Sequence, residues 1–366
     1  MYFHSYIKNR FYYNELNKNL INRINYKDDI NKIIKMNKGS LIHCHYSGIV
    51  KGENLIKYLF QKKKINFSNG QLFHIKYINN NINKNEILDF FYKNKGDFDV
   101  IGNLFYNIIK NVSFIEDYNY LIIRQMKNQN IDNIQFRIKL GSHFRNKKKI
   151  SIKEELKLFF NIKKLYKRFN KNFSIIVQSS KYSNKTYSYF DEILNIIENN
   201  FNFKKMIKGF DIVGNENRRP LNYHKNDILR LLDRMKKLNL EFYFHAGETD
   251  GIYTQSNLEF SLKYGGNRIA HGIQLLKYPN LLNVAIKRKT VLEISPLSNV
   301  ILEKYKPHIF KKLKESGLLF TINSDDPNKL GDKDLIDNYI YLFKNSGFDF
   351  NDFKKSIGLS NIVFNN

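Results

Sequence analysis

The sequence predicts an α/β protein: a closed (β/α)8 TIM barrel of parallel strands, preceded by a helical N-terminal extension. Three observations predict it. Short apolar runs alternate with helical patterns along the chain, which implies parallel strands joined by right-handed crossovers. Eight such runs can be counted, a number that favours a closed barrel over an open doubly wound sheet. Each chemically capable residue stands at the carboxyl end of its run, the face on which such barrels build their sites, whereas an open sheet gathers its chemistry near one switch point.

Taken in order, the first forty residues read as helical and lysine-rich, with Ile30, Ile33 and Ile34 at helical spacing and Gly39 placed to stop the helix. Ser40 to His45 reads as the first strand. Residues 50–95 carry little periodicity beyond Ile87, Leu88, Phe90 and Phe91, and are expected to form a helix, a loop excursion and another helix. Two helical patterns span 98–128 and end at Asp132-Asn133, before the alternating strand Ile134 to Leu140. Ser151-Ile-Lys-Glu154 reads as a capping box opening a long helix that turns Leu156, Phe159, Phe160 and Ile162 inward. Ser174 to Val177 is the third strand, followed by a polar loop and a helix near Tyr189 to Ile197. Gly209 to Val213 is the fourth strand and ends at Gly214. The second half alternates more cleanly, with helices at 226–238, 256–264, 279–288 and 303–315, and strands at 240–245, 267–270, 290–294 and 318–323. No Pro/Gly/Ser-rich linker divides the chain. Residues 1–38 therefore read as the extension, 39–346 as the barrel and 347–366 as a C-terminal helical tail.

Lys and Arg number 61 against 34 Asp and Glu, a net charge of +27 that would ordinarily suggest nucleic acid or an anionic membrane surface. Here Lys, Asn, Ile, Tyr and Phe are abundant throughout, Trp is absent, and Ala occurs only at 246, 270 and 285. That pattern is expected of an AT-rich coding sequence, so the lysines read as a solvated surface rather than a nucleic-acid interface. A single cysteine, Cys44, excludes an internal disulfide and a Cys/His zinc ribbon, and suits a reducing compartment. The first residues do not pair a basic segment with an apolar one, and no run reaches the 18 or so apolar residues of a membrane span. A cytoplasmic protein with no membrane partner is expected.

His43 and His45 alternate on one strand, so both imidazoles face the same side. His245 supplies a third ligand type and Asp325, in Asn323-Ser-Asp-Asp-Pro327, a fourth; three histidines and a carboxylate with one open position describe a catalytic zinc site. Glu248, three residues after His245, has no evident structural duty and can exchange a proton if its surroundings raise its pKa. His271, after Arg268-Ile-Ala, is a second candidate acid or base. Gly214 and Gly247 would let backbone approach a flat ligand. Glu293, ionisable inside a core strand, is expected to pair with His271, Arg268 or a neighbouring carboxylate.

Together the His-x-His strand, His245-Ala-Gly-Glu248, Arg268-Ile-Ala-His271-Gly272, Leu292-Glu-Ile-Ser-Pro-Leu-Ser-Asn299 and Asn323-Ser-Asp-Asp-Pro327 resemble the adenosine deaminase family of metallo-dependent hydrolases. Lys35 to His45, Gly209 to Gly214 and His245 to Asp250 are most similar to its adenosine deaminase-related growth factor subfamily. The resemblance covers roughly residues 30–345. It implies hydrolytic deamination of adenosine, and of 2′-deoxyadenosine, to inosine and ammonia in purine salvage. It further implies one Zn2+ per subunit on His43, His45, His245 and Asp325, with Glu248 protonating purine N1 and His271 orienting and deprotonating the attacking water. Asp326 would hold N7 and the Gly214 backbone would meet N3.

Three departures stand out. Tyr46-Ser47 replace the acidic or amide residue commonly found near the sugar. Gln178 to Tyr182 lacks the His-Arg pair frequent in the subfamily. The subfamily's disulfide-linked receptor-binding insertion after strand one is absent, so no growth-factor role is transferred. The alternatives are a deaminase of an adenine nucleotide or another 6-aminopurine, and a non-catalytic basic module for RNA or another partner. A binuclear hydrolase is disfavoured because Phe210 to Gly214 offers no bridging lysine.

Overall fold

The computed structural model describes residues 27–365 apart from 37, 63–64, 69 and 75–83. The extension expected over 1–38 thus lies mostly outside the described residues, and its helix Lys27–Met36 lies within them. Eight strands build the barrel: β1 Gly39–His45, β2 Ile131–Ile138, β3 Asn172–Ser180, β4 Ile207–Val213, β5 in two pieces, Glu241–Phe242 and Phe244–Ala246, β6 Arg268–His271, β7 Val291–Ile294 and β8 Leu319–Ile322. Neighbours pair in sequence order, and every pairing between them is parallel. Just beyond β8 the ring closes on β1, where the His45 N–H donates to the Asp325 carbonyl at 3.0 Å and the Asp325 N–H to the His43 carbonyl at 3.3 Å. Between the two pieces of β5, Tyr243 keeps a 2.7 Å bond to the Phe210 carbonyl. Its ring lies against Gly209, where a Cβ would stand 2.5 Å from it.

Helices cover the outside with apolar faces set by their spacing. Leu156, Phe159 and Ile162 are buried from Ile152–Arg168, and Ile228, Leu231 and Met235 from Lys225–Lys237. Residues 350–365 form a helix that packs across the closing seam, where Ser360 Oγ accepts the Ser40 N–H and Ser356 Oγ accepts the Ile322 N–H. Among the described residues no helix is long and apolar enough to cross a membrane.

Several local expectations are corrected. Gly39 does not stop a helix but opens β1, and Asp132-Asn133 lie inside β2 rather than ahead of it. The excursion within 50–95 contains an antiparallel hairpin, Ile65–Ser68 with Gln71–His74, between helices Gly52–Gln61 and Lys84–Asn94. β3 runs on to Ser180, because Gln178, Ser179 and Ser180 pair with Asp211, Ile212 and Val213. Their polarity marks the end of a strand that reaches the site, and not a loop. The helix expected at 303–315 starts later, at His308–Glu315, and a separate helix, Pro296–Glu303, precedes it, opened by Pro296, whose missing N–H and fixed φ suit a first turn. Ser151 accepts the Glu154 N–H at 3.2 Å, while the Glu154 carboxylate turns away to Arg145, so only half of the capping box forms.

Candidate metal centre and active site

Alternation along β1 points His43 and His45 into the barrel mouth, with Cys44 buried on the other side. His245 arrives from β5, His271 ends β6, and Asp325 follows β8. The imidazoles of His43 and His45 are 5.7 Å apart between centroids, His43 and His245 5.0 Å, and His45 and His245 5.3 Å. Asp325 Oδ1 lies 3.6 Å from His43 Nε2 and 3.3 Å from His45 Nε2. All four expected metal ligands therefore converge. His271 stands 4.9 Å from His43 and 5.2 Å from His245, centroid to centroid. His271 and Asp325 both adopt left-handed backbone, at φ 65° and 60°, a conformation uncommon for residues other than glycine that concentrates at functional sites.

Behind each histidine stands a polar group at Nδ1. Asp211 Oδ2 is 2.9 Å from His245 Nδ1, Glu293 Oε2 3.3 Å from His43 Nδ1, and Gln178 Oε1 2.8 Å from His45 Nδ1. Ser298 Oγ donates to Asp325 Oδ2 at 2.6 Å. A partner at Nδ1 turns Nε2 toward the centre, as the outer layer of a metal site does. Asp211 and Glu293 are held in turn by Arg137, whose Nε donates to Asp211 at 2.7 Å and whose Nη2 pairs with Glu293. Arg268 Nε binds the other Glu293 oxygen at 2.5 Å, and its Nη2 donates to Gln135 Oε1 at 2.6 Å. The partner expected for Glu293 is thus Arg268 together with Arg137; His271 is not one of them.

Burial holds His43 well below the usual imidazole range, with the Arg137 charge adding to the effect, and also lowers His245 and His271. For His45 burial is outweighed by the Asp326 and Asp325 carboxylates, and its pKa is raised. Burial alone would raise Asp325, yet the His45 contact and the surrounding histidines leave it well below the usual carboxylate range. Neutral imidazole is the metal-ligating form. Nε2 of both His43 and His245 is buried without a hydrogen-bond partner, which is costly unless something else satisfies it. His43, His45 and Asp325 bring their ligand atoms within 4.8 Å of one another, as do His43, His245 and His271. The donor set fits a divalent cation of the zinc type.

Glu248 Oε1 lies 3.5 Å from His271 Nε2. Burial, reinforced by the Asp325 charge, pushes its carboxyl up to about 7. Glu216 shapes the turn that presents it, accepting the N–H groups of Gly247, Glu248 and Thr249 at 2.9, 2.8 and 3.1 Å. Tyr305 donates to the Glu248 carbonyl at 2.7 Å. Gly214, at φ 115°, ends β4, and the buried Lys181 ammonium joins its carbonyl, at 3.1 Å, to that of His245, at 2.8 Å. Asp326 lies 3.0 Å from Lys329 Nζ and packs so closely on Gly48 that a Cβ there would stand 1.8 Å from Asp326 Oδ1.

Sequence reasoning missed Arg137, Lys181, Asp211 and Glu216. Their one local signal is a charged residue in or just beyond an apolar strand. Of the two residues that depart from the family pattern, Tyr46 is a core residue: its hydroxyl accepts from Asn119 at 2.8 Å and its ring packs on Tyr118, Phe136 and Phe159. Ser47 is half-buried, and its carbonyl accepts from Asn328 at 3.0 Å.

A family model described as adenosine deaminase matches residues 39–358. The chain is 35% identical over 152 residues to adenosine deaminase 2-A of Danio rerio, covering 40% of this chain and 30% of that protein. It is 33% identical over 150 residues to adenosine deaminase 2 of Sus scrofa, covering 40% and 29%. The matched segment thus spans under a third of the length of these curated relatives. Among solved structures, a cog1816 amidohydrolase from Burkhoderia ambifaria with bound Zn superposes with a TM-score of 0.69 at 18% identity, covering 91% of this chain and 86% of that one, a likeness of fold.

Proposed function

The chain belongs to the adenosine deaminase family, and from that premise we propose that it is a zinc-dependent deaminase of the adenine nucleoside type. It converts adenosine, and 2′-deoxyadenosine, to the corresponding inosine and ammonia, a reaction of purine salvage. The observation that carries this reading is the pairing of two unlike features in one pocket. Partnerless Nε2 atoms of buried histidines face a carboxylate, and Glu248 beside them is pushed up to about 7.

His43, His45, His245 and Asp325 would hold one zinc per subunit. The chemistry such an ion supplies when bound is the acidification of water toward neutral pH. The residues of the chain do the rest. Glu248, carrying its proton near neutral pH, donates it to purine N1, so that C6 becomes electrophilic enough to accept water. His271, kept neutral by burial, accepts a proton from the attacking water and orients it. Water oxygen adds to C6 first, and the proton taken up by His271 then passes to the amino group. The C6–N bond breaks to release ammonia as the C6 carbonyl forms, and the remaining hydroxyl proton returns to Glu248. Asp326 holds the N7 edge, and the Gly214 backbone meets N3 where no side chain intervenes. The partner is a small purine, with neither a membrane nor nucleic acid required. The buried thiol of Cys44 suits a reducing cytoplasm.

The test is direct: load purified protein with zinc, add adenosine, 2′-deoxyadenosine and AMP, and follow the ultraviolet absorbance. Turnover supports the reading. A zinc-loaded protein that deaminates no 6-aminopurine refutes it.

A further inference from the structure

A cavity of about 320 Å³ adjoins the metal cluster on its β1 to β3 side, beneath helix Phe98–Ile109. Its walls include Ser47, Lys110, Lys139, Ser142 and Lys329, with one carboxylate, Asp99. Two contacts tie it to the site already described: Gln178, also in the wall, holds His45 Nδ1, and Lys329 Nζ lies 3.0 Å from Asp326. Ser47, at the position where the family resemblance places the sugar contact, lines this space.

The three lysines come from three separate elements. Lys110 caps the helix over the cavity, Lys139 follows β2, and Lys329 lies in the turn after β8. They are therefore not one solvated helix face. Lys110 is only 8% exposed, and its ammonium has a neutral partner, Ser142 Oγ at 2.8 Å. Burial pushes it down to about 8; Glu155 opposes that shift, and Lys329 and Lys139 add to it. Glu155 does not neutralise Lys110 by contact, because its carboxylate is taken up by His143 at 2.9 Å and by the N–H groups of Ser142 and His143. Lys139 is exposed, and among the described residues neither it nor Lys110 reaches a carboxylate within ion-pair distance. A desolvated ammonium facing two like charges is a poor arrangement for stability alone. It is a good one for a dianionic group, which accepts several charge-assisted hydrogen bonds at once.

We propose that this cavity is a phosphate subsite, so that the adjoining site prefers an adenine nucleoside monophosphate to the free nucleoside. The proposal rests on the deaminase reading above and specifies its substrate class. Lys110 and Lys139 take the phosphate oxygens, Ser142 adds a hydroxyl, and Lys329 stands between the phosphate and Asp326. Ser47 adds no second carboxylate to the Asp99 already in the wall, which leaves the lysines in excess.

The experiment compares kcat/KM for AMP and for adenosine on the zinc-loaded full chain, and measures ribose 5-phosphate and ribose binding by calorimetry. AMP is expected to exceed adenosine by about 10-fold or more, and ribose 5-phosphate to bind where ribose does not. Lys110→Met and, at the exposed position, Lys139→Glu are each expected to reduce the AMP-to-adenosine ratio by about 10-fold. If adenosine is turned over as well as AMP, the phosphate subsite is overturned while the deaminase reading stands. If neither is turned over, the deaminase reading fails, and the calorimetry still decides the subsite: ribose 5-phosphate binding no tighter than ribose overturns it.

Discussion

Asp211 Oδ2 lies 2.9 Å from His245 Nδ1, and the same oxygen accepts the Arg137 Nε–H at 2.7 Å. One carboxylate oxygen therefore faces both a histidine proposed as a metal ligand and a guanidinium sealed inside the barrel. Burial opposes its charge, but His245 and then Arg137 overcome that and leave Asp211 below the usual carboxylate range.

Asp211→Asn keeps the shape and removes the charge. Zinc affinity is expected to fall about 10- to 100-fold, as when other groups behind metal ligands are lost. Stability is expected to fall by about 3 kcal/mol, because Arg137 then keeps Glu293 as its one remaining carboxylate. Chelator competition and urea unfolding measure the two, and unchanged zinc affinity would show that Asp211 has no orienting role.

Glu248→Gln removes the transferable proton and leaves the four proposed ligands in place. Zinc content is expected to stay near one per chain while kcat drops about 10²- to 10⁴-fold. Metal analysis beside steady-state kinetics checks this; wild-type kcat in the variant refutes the proton-donor assignment.

The pH dependence of stability follows from the same residue in the metal-free protein. The folded pKa of Glu248 is raised from 4.5 to about 7, so below pH 4.5 both folded and unfolded chains are protonated and the residue contributes no difference. Between pH 4.5 and about 7 the unfolded chain ionises while the folded one keeps its proton, and stability falls as pH rises. Glu248→Gln abolishes that loss, so the variant should gain up to about 3 kcal/mol on wild type between pH 4.5 and pH 8. Parallel pH profiles of urea unfolding test the sign; a constant difference would place the titration elsewhere.

Zinc at about 100 times its dissociation constant should stabilise wild type by about 2.7 kcal/mol, since the unfolded chain has no assembled site. His43→Ala is expected to lose the zinc-dependent rise in Tm together with activity. A full rise in that variant would remove His43 from the ligand set.

Lys181→Met deprives the buried carbonyl of His245 and the part-buried one of Gly214 of a shared donor. A loss of about 1–3 kcal/mol in stability is expected, with a raised KM because Gly214 would no longer be held against the purine. Stability and KM both unchanged would show that the lysine is dispensable.

The eight strands and the placement of His43, His45, His245, His271, Glu248, Asp325 and Asp326 at their carboxyl ends were legible in the residue order. Strand alternation and turn chemistry are local properties, and a barrel sends all its strand ends to one mouth. The hairpin at 65–74 was not legible, because four-residue strands among lysines and asparagines carry too little periodicity. Of the charged interior only Glu293 and its pairing with Arg268 were legible. Gln135 and Arg137 alternate with Ile134, Phe136 and Ile138 on β2, a pattern that ordinarily means a solvated polar face. In the closed barrel the apolar set faces the helices, and Gln135 and Arg137 are buried with Asp211, Arg268 and Glu293. Which charge meets which depends on ring closure across strands far apart in sequence, and no local pattern encodes that pairing. Residue order thus specified the proposed ligands and the face they occupy; only closure of the barrel decided what holds them, because a buried carboxylate takes its role from the partners that the fold brings to it.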